Sequence, residues 1–234
     1  MWLFSRKEKI HISDLPELLC DSAINLAWKE KTPSIDEEYG YVDPKQSKYS
    51  LFRRITITGA YYLAFFRFNL LSKINVNEIE NILIKSKNMI PEKVGSHTMY
   101  VYNEEDKESV RKMVKYSYNN AVQSIVEANS SNLADISSIV AKQYILDLYE
   151  GANLSKERMD KIITLNINMC TEVIKSIFNN TRNLVSNISI TNRENYKGKY
   201  VSSEERSRNT NEQLLNLLNA SNKEKSDFLK SLLK

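Results

Sequence analysis

Five glycines and four prolines in 234 residues leave little material for tight turns. Sandwiches and barrels spend both residues on hairpin connections, so an all-β fold is excluded. The glycines are scattered singly, so no glycine-rich loop can cradle a phosphate or a dinucleotide. The two cysteines, Cys20 and Cys170, are too few and too far apart for a disulfide framework or a cysteine metal cluster. Both fall in helical patterns and read as buried free thiols. The two histidines, His11 and His97, form no His-x-x-x-His or Glu-x-x-His pair. Zinc-peptidase and ferritin-like di-iron sites are excluded in their usual forms. No internal repeat is visible, so a solenoid has no support. A net charge of +4 does not by itself require a nucleic-acid partner.

Apolar residues make up 41% of the chain, enough for a sizeable core. At the N-terminus, MWLFSRKEKIH places its apolar run before its charges, the reverse of a signal peptide's order. The expected location is cytoplasmic. Asp14 with Glu17 suggests a capping box opening a helix that carries Leu15, Leu18, Leu19, Ala23 and Leu26. Residues 32–48 hold two prolines and read as a loop. From Ile55 to Leu71 only Arg67 is charged, which predicts a central helix, apolar on most sides. A membrane span needs about 20 apolar residues, and Arg67 and Asn69 interrupt this shorter run. A helix from Asn75 is expected to end at Pro91, with a loop or extended piece at 91–103. Asn103 opens the clearest amphipathic helix, and a helix through Leu133 and Leu148 follows, ending at Gly151. The short connection predicts that these two helices pack together.

Ser155 caps the longest predicted helix, about 155–190. Its apolar face is wider than a coiled-coil seam, so a bundle helix is preferred to a dimerising one with register set by Asn166 and Asn180. Residues 191–210 are polar and read as a linker. Residues 211–234 form a leucine-rich amphipathic segment. The predicted fold is all-α: an irregular multi-helix bundle at 1–190, a linker, and a C-terminal helical segment.

No acid–base or nucleophile constellation is visible, and no cofactor is expected. The acids Glu104, Glu105 and Asp106 are explained by a helix N-terminus; Glu37 and Glu38 sit in a loop. Tyr39, Tyr41, Tyr100 and Tyr102 lie in predicted loops. The C-terminal 44 residues carry nine Lys and Arg against six acids, hence +3 of the total +4. Tyr196, Lys197, Lys199 and Tyr200 interleave aromatics and bases, as single-strand nucleic-acid binders do, over a short stretch. Leu214, Leu215, Leu218, Phe228, Leu229 and Leu232 load the last segment with apolar surface that needs a surface to pack on. Its acids Glu212, Glu224 and Asp227 favour protein over membrane contact. The expected function is a helical interaction or regulatory protein with a protein partner or a second copy. Nucleic-acid association through the basic tail, or an enzyme whose site is not legible, are the alternatives.

Overall fold

The computed structural model describes residues 7–29, 44–70, 74–98, 103–128, 133–151 and 154–191. Six helices pack against one another: α1 (Leu15–Lys29), α2 (Pro44–Leu70), α3 (Val76–Thr98), α4 (Glu104–Glu127), α5 (Leu133–Leu148) and α6 (Lys156–Asn187). Two short strands, β1 (Glu8–His11) and β2 (Ile188–Thr191), pair in parallel. The chain divides into two units, Met1–Gly198 and Lys199–Lys234; the second lies outside the described residues.

The all-α bundle is as the residue pattern predicts, with α2 at its centre. Every residue from Ile55 to Phe66 on α2 is buried. Such burial stabilises by about 1.5–3 kcal/mol for each large apolar side chain, before entropy is subtracted. Phe65 and Phe66 are fully enclosed, while Phe68 is only half-buried. The ring of Phe65 meets Phe178 of α6 edge-on at 5.8 Å. Where α2 crosses α3, Gly59 leaves room for the Ile90 side chain, whose Cδ1 lies 3.4 Å from the place a Cβ would take.

Two caps follow the sequence closely. Asn103 and Asp106 exchange hydrogen bonds in a full capping box at the start of α4, and Ser155 accepts from the Arg158 amide at the start of α6. Gly151, after α5, has φ +78, a conformation glycine enters without cost.

Five expectations are corrected. The turn into α1 begins earlier than Asp14: Ile12–Asp14 is a 3-10 turn, capped by His11 Nδ1 accepting from the Ser13 amide. Residues 44–48, read as loop, belong to α2, because Pro44 at a first helical position loses no hydrogen bond. Pro91 does not end α3, which continues to Thr98. Ile90, Pro91, Lys93 and Val94 are all buried, and that packing outweighs the missing donor. The long helix stops at Asn187, not 190: the β-branched run Ile188–Thr191 goes into a strand beside Glu8–His11. Finally, Asn180 is exposed rather than a core residue of α6, while Asn166 is buried and donates to the Ile162 carbonyl of its own helix.

Candidate functional site

Asp147, near the end of α5, is 1% exposed. Its carboxylate accepts from Tyr61 Oη at 3.0 Å and from Asn120 Nδ2 and Gln143 Nε2, each at 2.8 Å. Its carbonyl accepts from Arg53 Nη2 at 2.8 Å. Burial raises the Asp147 pKa above the usual carboxylate value, against the lowering effect of its hydrogen bonds. Nearby, Thr58 Oγ1 and Tyr144 Oη lie 2.8 Å apart, and the Tyr61 and Tyr144 rings meet edge-on at 5.1 Å. The cluster ties α2, α4 and α5 together, and its acid is engaged on both oxygens.

A second buried group joins α1 to α3. Lys93 Nζ donates to Asp21 Oδ1 at 2.5 Å and lies 3.7 Å from Glu17. Beside it the Cys20 thiol donates to the Ser86 carbonyl at 3.0 Å. Burial pushes the Cys20 thiol up to about 12, although the Lys93 charge pulls the other way, and burial alone pushes Cys170 up to about 12. At pH 8 a thiol of that pKa is ionised in only about one molecule in 10,000. Both cysteines should therefore react slowly with a thiol reagent in the native protein and rapidly in denaturant. Rapid native labelling of either would contradict their burial.

The surface of α3 and α4 differs. On α3, Ile84, Lys87 and Asn88 share one stripe; on α4, Arg111, Val114, Lys115 and Asn119 share another. These seven residues line one cleft of about 300 Å³ between the helices. The lining has three cations, two amides and no carboxylate. Lys87 Nζ sits 4.2 Å above the Tyr118 ring, a contact that orients the ammonium. Its pKa is lowered, first by burial and then by the charges of Lys115 and Arg67, with Glu80 opposing. Arg111 makes one long contact, 3.4 Å to Glu108 on its own helix. Among the described residues, neither Lys87 nor Lys115 has a carboxylate within ion-pair distance. Chemically, the cleft can attract and orient an anion.

This cleft was not foreseen from the sequence. Arg111, Lys115 and Asn119 repeat at four, which marks a polar stripe, but any solvated helix face looks the same. Leu214, Leu215, Leu218, Phe228, Leu229 and Leu232, and Tyr196, Lys197, Lys199 and Tyr200, lie outside the described residues, as do Glu37, Glu38 and the loop tyrosines 39, 41, 100 and 102. Two of the three acids at the start of α4 have structural partners: Asp106 closes the cap and Glu104 accepts from Lys107 at 2.8 Å. Among the described residues, no group of three His, Cys, Asp or Glu is arranged to hold a metal ion, and no helix is long and apolar enough to cross a membrane. Comparison with protein-family models, with curated proteins and with solved structures finds no match for the chain.

Proposed function

We propose that this chain is a helical interaction protein that acts by binding, with the α3–α4 cleft as its contact for an acidic partner. The observation that carries the reading is the convergence of Lys87, Arg111 and Lys115 on a cleft lined by no acid. Lys87 and Lys115, held near each other by two packed helices, repel, which adds to the effect of burial in lowering the Lys87 pKa, and an anion between them relieves that repulsion. The buried titratable groups support the same reading from the other side. Asp147, Asp21 and Lys93 are spent on internal partners, and neither cysteine is activated as a nucleophile. The amphipathic segment 211–234 is proposed as a second contact, on its sequence alone.

The test compares the full chain with Lys87→Glu/Arg111→Glu/Lys115→Glu and with a chain lacking residues 205–234. Partners captured from the host and mass in solution are measured for all three. The triple variant is expected to keep its helical circular dichroism and to lose the partner held by the full chain. Unchanged capture and mass in both altered chains would refute the reading.

A further inference from the structure

The lining of the α3–α4 cleft is divided in a way that specifies its ligand further. One part is ionic and polar: Lys87, Arg111 and Lys115 with Asn88 and Asn119. The other is apolar and rests on Ile84, since Val114 of the same lining is 1% exposed. Ile84 is 49% exposed, so α3 leaves an aliphatic side chain uncovered beside three cations. A bare inorganic anion would use the first part and leave the second wet. A purely apolar ligand would do the reverse.

The cations also differ in kind. Arg111 offers a planar fork suited to two oxygens of one anion, and its contact to Glu108 is long and partly exposed. Lys87 and Lys115 offer compact point charges that accept any oxygen geometry. Lys87 is half-withdrawn from water against Tyr118, where an approaching anion is screened less than at an open surface. A single carboxylate presents two oxygens and one charge to three cations. A phosphomonoester presents three oxygens and about −1.5 to −2 charges near pH 7, which matches the set better. At about 300 Å³ the cleft is at the small end of ligand sites, room for a phosphoryl group and a modest organic body.

We propose that the cleft takes a phosphomonoester, with the phosphoryl group among Lys87, Arg111 and Lys115 and the organic body against Ile84. This rests on the reading of the cleft as the binding face. The phosphoryl group has two sources, a phosphorylated side chain on a peptide or a small free organic phosphate.

The experiment is calorimetric titration of the full chain with phenyl phosphate, with inorganic phosphate, and with a short phosphoserine peptide and its unphosphorylated form. Phenyl phosphate is expected to bind more tightly than inorganic phosphate, and to lose about tenfold in affinity in Lys87→Gln/Lys115→Gln. Lys115→Gln alone, at an exposed position, should weaken binding severalfold without touching the Tyr118 contact. A phosphoserine peptide that binds tenfold better than phenyl phosphate assigns the peptide source; the opposite order assigns the free organic phosphate. If neither phosphorylated probe binds, or if the lysine variants bind as the native chain does, the proposal is overturned. Partner capture that depends on the three cations in the absence of any phosphate binding would leave the interaction reading standing and remove only the phosphate chemistry.

Discussion

Replacing Asp147 by alanine is expected to lower the unfolding free energy by about 3–5 kcal/mol, a large part of the stability of a typical domain. Three donors converge on this carboxylate from α2, α4 and α5: Tyr61, Asn120 and Gln143. Asn120 and Gln143 are half-buried and can turn toward water, but Tyr61 is wholly buried and cannot. Its hydroxyl would be stranded, at about 1–3 kcal/mol, and the missing side chain adds a cavity. Asp147→Asn keeps the shape and one acceptor, so it should cost markedly less. The pH dependence has a definite sign. The folded pKa of Asp147 is raised, so its contribution to stability is complete below the ordinary carboxylate value and is lost as pH rises through the folded pKa. In urea unfolding between pH 4 and 7, the difference between the native chain and Asp147→Asn should therefore shift toward the native chain as pH falls. A loss under 1 kcal/mol for Asp147→Ala, or a pH trend of the opposite sign, would contradict this account.

Lys93→Ala should be about as severe, again about 3–5 kcal/mol, because it leaves the buried Asp21 carboxylate without its cation. For a chain of this size that corresponds to a fall in Tm of roughly 10 °C. Glu17, 3.7 Å from the same ammonium, would then add unrelieved repulsion. The informative control is the double change Asp21→Leu with Lys93→Met. Two well-packed apolar side chains can replace a buried ion pair at little cost, so the double variant should lie within about 1 kcal/mol of the native chain. Thermal unfolding of both variants decides it. A double variant as weak as the single one would mean that shape, not charge, holds α1 to α3.

These two groups also show where residue patterns stop being informative. The amphipathic stripes of α4 and α6 and the caps at Asn103 and Ser155 are local, with all participants within a few turns, and they are legible in the chain. The central place of α2 is legible too, since a helix apolar on most sides has nowhere else to go. Asp147 meets Tyr61 across 86 positions, and Lys93 meets Asp21 across 72. Such partners are decided by how helices cross, which no spacing rule encodes. Pro91 misleads for the same reason: a local breaker is overruled by distant packing. The cleft is the extreme case. Each half of its lining looks like an ordinary solvated stripe, and only the approach of α3 to α4 turns two stripes into one site.

The small sheet has a mechanical consequence. Glu8 faces Ile188 and His11 faces Thr191, with both strands running the same way. Chain leads into β1 at the Glu8 end and out of β2 at the Thr191 end. A pull on those two leads would act at opposite ends of the same ladder and load it in shear. Its inter-strand bonds would have to give way together, whereas an antiparallel pair pulled from a shared end would open bond by bond. The six helices lie between the strands in the chain, so they would bear no tension until this latch ruptured. Four residues on each side thus make the ladder the fuse of the bundle under load.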